Sequence, residues 1–469
     1  MKIGKILFNE AKKSMRLDGT YHLSESKIYE LLILNRPHSR LIDLTTEIFT
    51  AGRSKRVYVI SGKGYPYLSN TDVVTKNPLL GAKYVSRKLS FDERSFLKKG
   101  MILTGRVGAI GKSAYVSKGI ESSQAMGSDN IIRIVANETV PSGYLYAFLT
   151  SKIGMAYFDK LSAGGVQPYI TEEMLYDLPV PKLANVKMKL VHEKIEEAYD
   201  LRDQSNIILK EAENSLLSYS GLKTLTTEDF EFFGVHTFDR RPSINIVKFD
   251  TITIDSINAF NYSKRMSDLK SYISKTTKTI QLSDALSPEG FFSTGSFPRI
   301  PLNTSKAIKL INQGDIFDGI IYGKKIAKKK VKLDNLVRRE EILIAGVGTL
   351  GEGETFCRVV YSNGEIEGQL VSGEFIRMKS SENVPSGYLY AWLASEYGFR
   401  LIRSTQSGTK QCRPIPSLLY KIPVPIIEHN KMQEIHSRVL KAHNKRYKSC
   451  LLEQEAISII ENEIESWQR

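Results

Sequence analysis

Val140 to Gly154 reads VPSGYLYAFLTSKIG, and Val384 to Gly398 reads VPSGYLYAWLASEYG. Eleven of these fifteen positions are identical at an offset of 244 residues. At the same offset, Leu175-Tyr-Asp-Leu-Pro-Val-Pro181 matches Leu419-Tyr-Lys-Ile-Pro-Val-Pro425, and Gly164 and Gln167 fall on Gly408 and Gln411. With a four-residue slip, Leu103-Thr-Gly-Arg-Val-Gly-Ala-Ile-Gly111 lies over Leu343-Ile-Ala-Gly-Val-Gly-Thr-Leu-Gly351. The leaders Leu17-Asp-Gly-Thr-Tyr21 and Ile257-Asn-Ala-Phe-Asn261 correspond more loosely. So many blocks in one order mean a tandem duplication. The unit is about 240 residues long, far beyond a solenoid period.

Both copies follow one plan. In the first, short β-branched or aromatic runs come first: Val57–Ile60, Met101–Thr104, Ser113–Ser117 and Asn130–Val135. Gly, Ser and Asn separate them, as between strands. Tyr144–Tyr157 reads as one helix, and the Pro-Val-Pro at 179–181 closes the globular part. A long charged helix follows. Val191, Ile195, Ala198, Arg202, Ser205, Leu209, Ala212 and Leu216 step by alternating fours and threes, the seam of a coiled coil. In the second copy Met432, Ile435, Val439 and Ala442 start a matching seam, and Cys450, Ile457, Ile460, Ile464 and Trp467 continue it less regularly. Two unrelated amphipathic helices on separate cores are the plainer alternative; duplication favours an antiparallel pair with a pseudo-twofold.

The 469 residues carry 66 Lys+Arg against 51 Asp+Glu, a formal charge of +15. With 41% hydrophobic and 25% charged residues, the chain is not of the disordered class. No run approaches the roughly 18 apolar residues of a membrane span, and MKIGKILFNEAKKSMRL lacks the apolar stretch of a signal peptide. Cys357, Cys412 and Cys450 are odd in number and widely spaced, which argues against a disulfide framework or a cysteine zinc site and for a reducing cytoplasm. A pI near 9.3 favours a polyanionic partner.

Catalytic signatures are weak. Gly346-Val-Gly-Thr-Leu-Gly351 fits the dinucleotide pattern, but a strand-like run follows where a helix is required. Gly111-Lys-Ser113 lacks the glycine that a phosphate loop needs, since Arg106 stands there. Both clusters read as tight turns between strands, with backbone N–H groups that could touch a phosphate. His429, His436 and His443 recur every seven residues, too far apart for one metal ion, and read as a solvated or interhelical stripe. Nucleophile elbow, H-E-x-x-H, adenine-methyltransferase and helicase motifs are all missing. The chain reads as non-catalytic.

The remaining signal is cationic. Lys324 to Lys332, KKIAKKKVK, holds six lysines in nine residues, among them Lys325, Lys328, Lys329 and Lys330, and Arg338 and Arg339 follow. A charge run is often only a solvated face. This one lies inside the second β-rich unit, and Arg53, Lys55, Arg56, Lys63, Lys83, Arg87 and Lys88 form a thinner equivalent in the first. Such side chains neutralise phosphates and position a protein on a duplex. Lys112 and Lys410 add charge beside the glycine turn of one unit and the Ser-Gly-Thr-Lys-Gln block of the other. Arg106, Gln124, Gln167, Asn303 and Gln411 are candidates for base edges, and each also reads as an ordinary polar loop residue.

Three features together resemble a known family: the Gly-x-x-Gly turn after an Ile-Leu strand, the Pro-Ser-Gly-Tyr-Leu-Tyr-Ala helix start, and Ser-Gly-Thr-Lys-Gln at 407–411. In this order, duplicated, with each unit closing in Pro-Val-Pro before a long helix, the chain resembles the specificity (S) subunit of type I restriction-modification systems. Departures are Ser162-Ala-Gly-Gly-Val-Gln167 and the long join at 219–275. The resemblance implies an α/β fold with two tandem target-recognition domains, joined and separated by long antiparallel coiled-coil helices. The implied division is a leader and helix at 1–38, recognition domains at 39–184 and 278–427, spacer helices at 185–222 and 428–469, and a linker with a pre-domain helix at 223–277. Each domain would read half of a bipartite, asymmetric target in double-stranded DNA. The helices, through Val191, Ile195, Leu209, Leu216, Ile435, Val439, Ile457, Ile460 and Ile464, would dock two methyltransferase subunits, which methylate adenine with S-adenosylmethionine. Restriction subunits using ATP and Mg would join in some complexes, and this chain would itself bind no cofactor. A helix of about 33 residues spans roughly 50 Å, enough to hold two readers about one DNA turn apart. Other readings from the residues alone are an enzyme with an unrecognised site, a sequence-tolerant nucleic-acid scaffold, and the recognition subunit of a related methylation-based defence system.

Overall fold

The computed structural model describes residues 5–468 apart from 15, 25, 61, 90, 109, 163–166, 227–228, 230–243 and 245. The chain forms two compact units, Met1–Asp203 with Lys448–Arg469, and Gln204–Tyr447. The long helices, Asn185–Tyr219 and His429–Ser466, therefore each contribute one portion to each unit.

The first unit is built on the four-stranded antiparallel sheet β2-β9-β6-β7, with β2 at Thr45–Thr50, β6 at Ile102–Gly105, β7 at Ser113–Tyr115 and β9 at Ile131–Ala136. Alternation along these strands supplies two buried faces. Ile102, Ile132, Ile134 and Tyr115 face the helices Ser142–Thr150 and Lys152–Leu161. Leu103, Ala114 and Ile131 join Leu68, Leu97 and Ala125 in a second cluster. Beyond that cluster lies an outer sheet, β3-β5-β4-β8, made of Tyr58–Val59, Lys83–Ser86, Gly64–Leu68 and Met126–Gly127. A short strand β1 at His38–Arg40 pairs with β10 at Pro179–Pro181. The Pro-Val-Pro thus ends the globular part as an edge strand, a place where two missing N–H donors are tolerated.

The expected single helix over 144–157 is two helices. Ser151 has an extended backbone, and its hydroxyl accepts from Gly154 N at 3.2 Å to cap the second. The helical seam also shifts. Ala456, Ile460 and Ile464 are fully buried against Val191 and Ile195, whereas Ile457, placed in the seam from sequence, is only partly buried. Each buried aliphatic side chain stabilises by roughly 1.5–3 kcal/mol. Ion pairs Lys187–Glu463, Lys194–Glu455 and Lys448–Glu197 flank this contact.

The second unit repeats the arrangement. Its central sheet is β12-β18-β15-β16, comprising Leu286–Phe292, Phe375–Ser380, Ile342–Ala345 and Val359–Tyr361. Ile342, Ile344 and Met378 face Tyr388, Trp392 and the helix residues Leu216, Ile435 and Val439. Leu343 and Phe375 face the other way, toward Ile311, Val337 and Val371. The outer sheet is β14-β13-β17, at Lys324–Ala327, Ala307–Ile311 and Leu370–Val371, and an antiparallel bridge from Pro301 to Ile326 lines the edge that β3 occupies in the first unit. Here β11 at Thr279–Gln281 pairs with β21 at Pro423–Pro425. Part of the long join belongs to this core: Leu222, Leu225, Met266, Leu269 and Ile273 are buried in it. Much of the rest of that join, and most of the Ser162–Gln167 departure, lie outside the described residues.

Candidate nucleic-acid interface

The duplicated Pro-Ser-Gly-Tyr-Leu-Tyr block is the frame on which each outer sheet is carried. Gly143 N donates to His192 Nδ1 at 3.1 Å, and Gly387 N donates to His436 Nδ1 at 3.0 Å. A Cβ on either glycine would lie 2.8 Å from that nitrogen, so only glycine permits this approach of helix N-terminus to long helix. The Tyr144 hydroxyl donates to Pro181 O at 2.6 Å, and that of Tyr388 to Pro425 O at 2.8 Å. Tyr115 meets Ser142 at 3.0 Å, as Tyr361 meets Ser386 at 2.8 Å. Gly143 and Gly387, Tyr144 and Tyr388, and Ser142 and Ser386 thus make the same internal contacts in both units.

What these frames carry differs. On the first unit's outer sheet, Tyr67 pairs with Lys83, and Tyr58 and Tyr65 both pair with Val85. Paired residues share a face, so Tyr58, Tyr65, Tyr67 and Lys83 lie together. Cations cover the rings: Lys83 over Tyr58 at 5.5 Å, Arg87 over Tyr65 at 5.0 Å and Arg56 over Tyr67 at 5.0 Å. Asp129, in the loop before β9, accepts from Arg56 Nη2 at 2.6 Å and from Arg53 Nε at 2.8 Å. Its side chain is 10% exposed, against 87% for Arg53 and 36% for Arg56. A sunken carboxylate thus aims two guanidinium groups outward. Beside them an open cleft of about 640 Å³ is lined by Tyr65, Phe49, Arg94 and Gln124, the last in the left-handed region at φ 54°.

The second unit's outer sheet carries lysine instead. Lys325 pairs with Lys309 across β14 and β13. Lys324, Lys325, Lys328 and Lys329 are exposed, and among the described residues none of the four meets a carboxylate. Lys325 Nζ donates to Asn303 Oδ1 at 3.2 Å. The side chain of Lys330 lies outside the described residues.

The glycine turns and the glutamine blocks meet. A bridge joins Val107 to Tyr169, and another joins Gly348 to Cys412. Arg106 thereby stands opposite Ile170 in one unit, its carbonyl accepting from Ile170 N at 2.9 Å, while the Gly348–Cys412 bridge brings the exposed Lys410 and Gln411 beside the Gly346–Gly348 turn in the other. An amide side chain steadies each turn: Asn70 Nδ2 donates to Val107 O, and Gln313 Nε2 donates to Val347 O at 2.5 Å. Arg106 and Lys112 are half-buried, while Lys63 is exposed just before β4. Arg338 is tied to Glu289 at 2.8 Å and to buried Glu341 at 3.2 Å, so its charge serves the fold; Arg339 is exposed.

The nine residues assigned to the docking helices line the helical seam. Val191, Ile195, Leu216, Ile435, Val439, Ile460 and Ile464 are fully buried in the chain's own cores, with Leu209 and Ile457 packed beside them. Their side chains close the chain on itself. On the same helices Val186, Leu190, Ile207 and Leu451 are exposed.

Sequence reading missed the buried polar groups. Glu453 is 1% exposed, accepting from Arg202 at 2.8 Å and from Tyr146 at 2.6 Å. The histidine stripe divides: His429 is exposed, His436 accepts from Gly387, and His443 is buried between Tyr361 and Tyr390. Arg133 and Arg377 sit 244 residues apart, both fully buried on the sheet face that meets the outer sheet. Arg377 forks onto Glu341. Among the described residues Arg133 hydrogen-bonds only to carbonyl oxygens, of Gly127 at 2.6 Å and Ile131 at 2.8 Å most closely, and burial pulls its pKa down to about 10. Period-two spacing with Ile131 in β9 and Phe375 in β18 places both arginines on the face toward the outer sheet, the one signal that could have revealed them.

Among the described residues no three His, Cys, Asp or Glu side chains gather to hold a metal ion, and no helix is long and apolar enough to cross a membrane. All three cysteines are buried and free.

No family model matches the sequence, and no curated protein does. Among solved structures, the chain is similar to the S subunit of a type I restriction-modification system from M. genitalium, at 13% identity over 92% of each chain with a TM-score of 0.33. It is similar to the HsdS subunit from Thermoanaerobacter tengcongensis at 11% identity, over 91% of this chain and 95% of that one, with a TM-score of 0.26. The type IIG restriction endonuclease BpuSI matches 37% of this chain and 28% of its own at 11% identity, with a TM-score of 0.28. At such TM-scores the superpositions decide nothing about function, and the residues must.

Proposed function

We propose that this chain is the DNA-specificity subunit of a type I restriction-modification complex, non-catalytic and acting in the cytoplasm. One observation carries the reading: the same internal frame is built twice, down to Gly143–His192 and Gly387–His436, while the outer sheets on it carry unlike chemistry. A frame kept and a surface changed is what two readers of two different half-sites require. Cations on both surfaces suit the phosphate backbone, and Arg, Gln and Asn at the turns suit base edges. The helices Asn185–Tyr219 and His429–Ser466 would form the antiparallel coiled-coil spacer with pseudo-twofold symmetry. Thirty-five residues extend roughly 52 Å, more than the ~34 Å between half-sites one turn apart. Two methyltransferase subunits carrying S-adenosylmethionine would dock on the helices' outward faces. Restriction subunits with ATP and Mg would complete a cutting complex.

The test is selection of bound duplexes from a randomised library by the full-length chain. Two unlike motifs at a fixed spacing are expected. A palindrome, or recovery without any motif, overturns the proposal.

A further inference from the structure

The two outer sheets present the same net sign by opposite means. In the first unit, two guanidinium groups share one carboxylate, so the trio keeps one positive charge and a fixed geometry. Arg53 is bound through Nε and Arg56 through one Nη, leaving further donors on each fork. Arg56 is also held over the Tyr67 ring. Groups already oriented lose little freedom on binding and suit planar, bidentate targets such as a guanine edge. In the second unit, the residue 244 positions after Asp129 is Gly373, and a Cβ there would meet nothing within 4 Å. The lysines on that sheet are point charges on flexible stems, which suit phosphates and carry no sequence information.

We propose, resting on the function above, that the units divide the work. Asp129 is a positioning residue that aims Arg53 and Arg56 at base edges of one half-site, whereas Lys324, Lys325, Lys328 and Lys329 grip the phosphates of the other. The second half-site is then read by its turns, through Gln411, and not by its outer sheet.

The randomised-duplex selection is repeated with the full-length Asp129→Asn chain. Removing the carboxylate frees two charges and leaves their directions unset. Discrimination should fall about ten- to a hundredfold at one half-motif only, with affinity for random-sequence duplex equal to wild type or higher. A merely structural defect lowers both. Arg53→Lys with Arg56→Lys keeps the charge and loses the forks, and should relax the same half-motif. Replacing the four lysines by glutamine should leave both motifs intact and reduce the slope of log affinity against log NaCl by about 3–4. Unchanged discrimination in both the Asp129 and the double arginine chains overturns the inference, as does a lysine variant that changes a motif. A wild-type chain that selects no motif defeats the specificity-subunit reading instead, so the two failures are told apart.

Discussion

Arg133 and Arg377 occupy one position of the duplicated unit and are both fully buried, yet they are satisfied differently. Arg377 has Glu341 on its fork and the carbonyls of Asn335 and Leu336 besides. Among the described residues the hydrogen bonds of Arg133 go to carbonyl oxygens alone, and its Nε finds no hydrogen-bond partner. The difference shows which part of a duplicated fold is held constant. The frame toward the long helices repeats three hydrogen bonds in both units, those of Gly143 and Gly387, Tyr144 and Tyr388, and Tyr115 and Tyr361. The layer that carries the outer sheet has been rebuilt around whichever loop that sheet required. Divergence in the outward chemistry therefore reaches inward as far as this arginine, while Tyr144 and Tyr388 keep the same bond to the Pro-Val-Pro strand.

The largest expected effect comes from truncation after Tyr447. It removes Ala456, Ile460 and Ile464 from the first unit's core and nothing from the second. Each large aliphatic lost leaves a cavity costing about 2–5 kcal/mol. Tryptic digestion should degrade the first unit and leave a protected fragment close to Gln204–Tyr447. Equal survival of both units would refute the division.

Next, Glu341→Leu strands the buried Arg377 charge at a cost of about 3–5 kcal/mol, whereas Arg133→Met removes a charge with no ion pair and orphans carbonyls at about 1–3 kcal/mol. The two tryptophans separate the readouts, Trp392 in the second unit and Trp467 in the first. Urea unfolding followed by fluorescence of single-tryptophan variants should show the Glu341 loss to be the greater. Equal losses would mean the two arginines are equivalent after all.

Gly143→Ala and Gly387→Ala sharpen the other half of the comparison. Each methyl group meets a histidine ring and backbone at 2.8–3.0 Å, an overpacking cost of about 1–3 kcal/mol. The two losses should agree within about 0.5 kcal/mol, and a clear inequality in the same urea experiment would break the equivalence of the frames.

The smallest effect is a pH dependence in the second unit. Burial lowers the pKa of His436, with Glu340 opposing, and its Nδ1 must stay unprotonated to accept from Gly387. A depressed base stabilises the fold above its unfolded pKa of about 6.5, and that contribution is lost as pH falls through the folded value. The urea midpoint reported by Trp392 should fall on acidification from pH 7.5, and less so in His436→Asn. A profile identical in the two chains would contradict the role.

The duplication, the short strands and most of the helical seam were legible because each depends on local periodicity or on self-comparison. The Ser151 break was not, since capping by a single hydroxyl decides it within an apolar run. Glu453 in the seam reads as a surface residue until Arg202 and Tyr146, 251 and 307 residues away in sequence, are brought to it. The cationic stretches were legible as composition only. Which arginine is spent on the fold, as Arg338 is on Glu289 and Glu341, and which is aimed outward, as Arg53 and Arg56 are by Asp129, depends on long-range pairing.

The most direct test of the central claim is single-molecule methylome sequencing of the source organism with and without this gene. The account predicts loss of N6-methyladenine at one bipartite motif with unlike halves and a fixed gap. An unchanged methylome, with the cognate methyltransferase expressed, would contradict it.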